Sequence, residues 1–72
     1  ERQLGSDHPH TASSLNNLAG LHYDRGQYAE ALPLYQRALE ILRKALGEQH
    51  PHTQSVLKSI AIVSEKLSDP PP

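Results

Sequence analysis

Seventy-two residues, 36% of them hydrophobic, supply about 26 side chains for an interior, which suits one small domain. Seven Lys and Arg against eight Asp and Glu leave a net charge of −1, so no chain-wide positive field serves nucleic acid or an anionic membrane. The lack of cysteine excludes a disulfide framework, thiol catalysis and sulfur-ligated zinc, and no apolar run approaches the roughly 18 residues of a membrane-spanning helix.

The chain opens at Glu1, with neither methionine nor an apolar signal segment, which points to a piece of something longer. The first predicted helix covers residues 9–25. Pro9 suits its first turn, where a missing amide hydrogen goes unnoticed, and Leu15, Leu18, Ala19 and His22 make one apolar stripe. Gly26 punctuates it. The second helix, 28–46, carries a longer stripe of Tyr28, Ala31, Leu32, Tyr35, Ala38, Leu39, Leu42 and Leu46. Arg43 and Lys44 fall in its last turns, where cations complement the helix dipole, and Gly47 ends it. Pro33 deletes the amide that would bond Ala29, which predicts a bend there rather than a break, because the stripe stays in phase from Leu32 to Tyr35. The third helix, 51–67, starts at Pro51 and aligns Val56, Leu57, Ile60, Ala61, Ser64 and Leu67. Short connections make neighbouring helices antiparallel.

Self-similarity organises these elements. Leu4-Gly5 returns as Leu46-Gly47 and His8-Pro9-His10-Thr11 as His50-Pro51-His52-Thr53, both at an offset of 42 residues. Ser13, Leu15 and Ala19 meet Ser55, Leu57 and Ala61 at the same offset, so nine of the sixteen positions from Leu4 to Ala19 are identical to their partners. The chain therefore divides into a leading turn (1–8), one complete helix pair (9–46), the turn and first helix of a second unit (47–67) and a proline-rich tail (68–72). The fold class is all-α, an antiparallel helix-turn-helix repeat of three helices.

The residues Leu15, Leu18-Ala19, Tyr23, Gly26, Tyr28, Ala31, Tyr35 and Ala38 resemble the signature of the tetratricopeptide repeat, in which small and aromatic positions interlock two helices. The usual repeat has about 34 residues. A 42-residue unit with a His-Pro turn and a Leu-Asn-Asn-Leu-Ala string resembles the kinesin light chain type, a fragment of an α-solenoid. The resemblance covers residues 4–67 and implies a protein-interaction module expected in the cytoplasm. It departs at His22, where an aromatic is common, and at Lys58-Ser59, which stand where the first unit has Asn16-Asn17.

At about 100° per residue, Ser13, Asn16, Asn17, Gly20 and Asp24 gather opposite the Leu15 stripe. As a generic helix face this row is simply solvated. The resemblance instead implies that first helices line an inner groove, with Asn17 gripping a peptide backbone through the donor and acceptor of one amide. Ser13, Asn16, Gly20, Tyr23 and Asp24 accompany it, and Ser55, Lys58, Ser59 and Ile62 hold the matching positions one unit on. The resemblance to chaperone-tail binders gives Lys58 a carboxylate as its contact. The expected ligand is an extended peptide or a partner helix. The alternative is an architectural spacer or self-association segment without a ligand, as a homo-oligomer built through Leu21, Leu34, Ile41, Ile62 and Val63. Leu18 and Leu39 are expected in the core.

Other chemistries find no pattern. His8-Pro9-His10 and His50-Pro51-His52 offer imidazoles, but no carboxylate or cysteine completes a metal-ligand spacing, and the expected role is turn formation with local capping or packing. Protonating all five histidines moves the net charge from −1 to +4, so binding to a charged partner is expected to change below about pH 6. Neither a nucleophile elbow, a phosphate-cradling loop nor a metal-binding His-Glu pair is present. No catalytic residue, metal or cofactor is expected.

Overall fold

The computed structural model describes residues 8–68, which form three helices: α1 (Pro9–Asp24), α2 (Tyr28–Leu46) and α3 (Pro51–Ser68). No strand occurs among the described residues. The recurring Leu4-Gly5 and the predicted leading turn and tail, apart from His8 and Ser68, lie outside them. The helix ends fall within one residue of those expected.

Local chemistry explains each boundary. His8 is extended (φ −77°, ψ 135°), its ring accepts the amide of His10, and Pro9 occupies the first helical position. At the other end of α1, the Gln27 amide donates to the His22 carbonyl at 2.8 Å and the Gly26 amide to that of Tyr23 at 2.9 Å. This paired arrangement is the Schellman motif, and Gly26 supplies its left-handed residue at φ 76°. The His22 Nδ1 also faces Gln27 Oε1 at 2.8 Å, clasping the turn with side chains. Helix α2 runs through Pro33 without a break and ends where the Gly47 amide reaches the carbonyls of Leu42 and Arg43. An Arg43–Glu48 ion pair at 2.8 Å spans the following turn, and Gln54 Nε2 donates to the Glu48 carbonyl, tying that turn to α3.

Helix α2 is the middle member and packs on both α1 and α3. Its buried row is Ala31, Tyr35, Ala38, Ile41 and Leu42. Ala12 and Ala19 enter from α1, and Thr53, Val56 and Val63 from α3. Four alanines in this core let the helix backbones approach closely, and Leu15, Tyr23, Tyr28, Leu32, Leu34, Leu39 and Ile60 close around it.

The buried faces differ from the expected stripes. Leu18 is 45% exposed, whereas Ala12 is fully buried, so the inward face of α1 is rotated by about 60° toward Ala12, Leu15, Asn16, Ala19 and Tyr23. On α3, Leu57, Ala61 and Leu67 are exposed, while Val63, expected on an outer face, is fully buried. Ile41 is also interior, and Leu34 packs against the core. Of the residues expected outside, Leu21 and Ile62 are exposed.

One cause accounts for these differences. Helices α1 and α3 share a register, but each meets α2 from a different side. Thr53, Val56, Ile60 and Val63, which pack on α2, correspond at the 42-residue offset to Thr11, Ser14, Leu18 and Leu21, whose side of α1 lies away from α2. Conversely, Ala12, Leu15 and Ala19 meet α2, while their counterparts Gln54, Leu57 and Ala61 are exposed. In each of these pairs the two equivalent residues therefore differ in burial.

Candidate functional site

The groove between α1 and α3 is built from the C-terminal half of α1, the middle of α3 and the floor that α2 provides. Tyr23, Tyr35, Ser59, Ile62 and Val63 line a pocket of about 90 Å³ there. Tyr23 reaches it because α1 turns its aromatic inward one turn before the Gly26 stop. Tyr28 braces that ring edge-on, with centroids 5.3 Å apart and planes at 61°. Tyr35 rises from the buried row of α2, and a methyl group added at Gly20 would meet its hydroxyl at 3.9 Å. Gly20 therefore leaves room beside a polar atom at the floor, although that spacing is ordinary contact for a Cβ. Ser59 Oγ donates to the Ser55 carbonyl at 3.3 Å, which holds the hydroxyl against its own helix.

Three of the expected site residues, Tyr23, Ser59 and Ile62, thus share one pocket. Gly20 borders the same floor. Ser13, Asn17 and Asp24 are exposed on α1, and Asn16 is half-buried toward the core. Asn16 and Asn17 lie roughly 10 Å along the helix axis from Tyr23, so they are outside the pocket itself. Ser55 and Lys58 are exposed on α3. Sequence reasoning did not assign Tyr35 and Val63 to the site. The helical phase of Tyr35 marked it as core, and only its place between two first helices turns its hydroxyl into a pocket floor.

The pocket has apolar walls, three hydroxyl-bearing side chains and no ionisable acid or base other than the tyrosines. Its volume is below the about 150 Å³ of a cavity that accommodates a benzene ring, so it suits a small aliphatic group rather than an aromatic one. Among the described residues, no three His, Cys, Asp or Glu side chains gather as metal ligands. No described helix is long and apolar enough to cross a membrane.

Comparison with known proteins agrees with this architecture. No curated protein matches the chain in sequence. The family model for the tetratricopeptide repeat matches residues 11–52, a span of 42 residues that equals the internal offset and covers more than half of the chain. With its repeat register, its helix pair and that match together, the chain belongs to the tetratricopeptide repeat family.

Proposed function

We propose that the chain is a protein-interaction module of the kinesin light chain-like type that receives an extended peptide or partner helix in the groove between α1 and α3. Tetratricopeptide repeats generally mediate protein–protein interaction. In this reading a small aliphatic side chain of the ligand enters the pocket at Tyr23, Tyr35, Ser59, Ile62 and Val63. Asn17 grips the ligand backbone farther along α1, with Ser13, Asn16 and Asp24 beside it, and Ser55 and Lys58 flank it on α3. The observation that carries the proposal is the convergence of Tyr23 and Ser59, one residue from each repeat unit, on a single concavity. We assign it no catalytic role, metal or cofactor, and we place its work in the cytoplasm.

The test is a random-peptide selection on the purified chain, followed by titration of the selected peptides against variants. Ser59→Trp fills the pocket and is expected to weaken binding at least about tenfold, whereas Asn17→Ala weakens it about threefold to tenfold. Peptides that bind both variants as tightly as the native chain would remove the groove from consideration.

A second reading has its own support. Leu18 and Leu21 are 45% and 58% exposed, at positions whose counterparts Ile60 and Val63 pack on α2. That face suits a spacer in a longer array, or self-association of the chain. The spacer reading prevails if Asn16→Ala with Asn17→Ala leaves the affinity of every selected peptide unchanged.

A further inference from the structure

Helices α1 and α3 are started by the same unusual device. His8 Nδ1 accepts the amide of His10 at 3.0 Å, and His50 Nδ1 accepts the amide of His52 at 3.1 Å. The preferred capping side chains are Ser, Thr, Asp and Asn, whose oxygens go on accepting hydrogen bonds at neutral and mildly acidic pH. An imidazole accepts only through an unprotonated nitrogen, so each of these caps requires the neutral ring with its proton on Nε2. Protonation turns the acceptor into a donor pointed at another donor. It also sets a positive charge on the positive end of the helix dipole.

Among the described residues, the first turns of α1 and α3 hold no carboxylate to offset that charge. The His8 ring meets the His10 ring edge-on at 6.2 Å, and the His50 ring stacks on that of His52 at 5.1 Å. The nearest charge along α3 is Lys58. The last turn of α2 carries Arg43 and Lys44, with Glu40 one turn earlier, and Glu48 in the turn that follows is engaged by Arg43 at 2.8 Å. Among the described residues, each cap is thus faced by a second imidazole, and the carboxylate two residues before the α3 cap is already paired. His22 behaves differently. Its Nδ1 donates to Gln27 Oε1, a role that an imidazolium keeps.

We infer that the two histidine caps form a pH-operated switch, closed while the rings are neutral and opened together as acidification protonates them. The uncapped form takes up protons that the capped form excludes. By linkage, capping is therefore complete while the rings are neutral and is lost as acidification protonates them. The first turns of α1 and α3 then fray at the same end of the molecule. Loss of one cap shifts a helix-opening equilibrium by about fivefold, and loss of two independent caps by about 25-fold.

The test follows the full chain by equilibrium denaturation and by amide hydrogen exchange at His10 and His52, at about pH 7.5 and about pH 5.5. The native chain is expected to lose up to about 25-fold in its folding equilibrium at the lower pH. His8→Ser with His50→Ser, which keeps an acceptor that does not titrate, is expected to flatten that dependence. His10→Gln with His52→Gln is expected to retain it. Nitrogen chemical shifts of the native rings provide a reading that needs no variant: His8 and His50 should carry the proton on Nε2 at neutral pH. A proton on Nδ1, or a pH response unchanged in the serine variant, overturns the inference.

Discussion

At the scale of single residues, burial sorts side chains that the sequence makes look alike. Val63 is fully buried, and its register partner Leu21 is 58% exposed. Val63→Ala is therefore expected to destabilise the chain by about 2 kcal/mol, and Leu18→Ala by less than about 1 kcal/mol, both measured by chemical denaturation. Equal losses would mean that α3 does not lean on α2 through this face. Thr53 makes the same point with a polar atom. Its Oγ1 is buried without a hydrogen-bond partner, while Thr11, at the matching position of α1, is half-buried. Thr53→Val keeps the shape and removes an unsatisfied group, so it is expected to stabilise the chain by about 1 kcal/mol, with Thr11→Val near neutral. The alanine positions Ala19, Ala31 and Ala38 were legible as core from spacing together with the family resemblance, whereas Ala61, equally in phase on α3, is exposed. The pocket hydroxyl of Tyr35 was not, since its neighbours Ser59 and Ile62 lie more than twenty residues away.

At the scale of helices, starts and stops were readable because they are made locally. Pro9 and Pro51, Gly26 and Gly47 act within a few residues of themselves, and the boundaries α1, α2 and α3 follow from them. Gly26 carries the clearest mechanical demand, since its φ of 76° is strained for any residue with a Cβ and open space surrounds it. Gly26→Ala is expected to lower stability by about 1 kcal/mol through backbone strain alone, read as a shift in the denaturation midpoint. Faces were harder to read than ends. An amphipathic stripe announces that something covers it, but Thr11, Leu18 and Leu21 share α1 with Leu15 and Ala19, and periodicity does not say which set meets the helix that follows.

At the scale of the whole molecule, the 42-residue register turns that ambiguity into a construction rule. The α2–α3 contact shows what the Thr11, Ser14, Leu18 and Leu21 face fits, because Thr53, Val56, Ile60 and Val63 are its equivalents one unit on. Placing a second copy of residues 9–50 ahead of Pro9, in unbroken register, would bring a duplicate of α2 against this face. Each repeat stabilises its neighbour through their shared interface. Covering two leucines that are now about half exposed contributes on the order of 2–3 kcal/mol before ordering costs. The duplicated chain is therefore expected to melt at higher temperature than the native one and to lose any concentration-dependent association mediated by Leu18 and Leu21. Calorimetry and sedimentation read these two outcomes separately. A control copy lengthened by one residue between the units turns the face by about 100° and should gain neither. If the two copies melt alike, the stacking of these helices does not depend on the register that the sequence repeats.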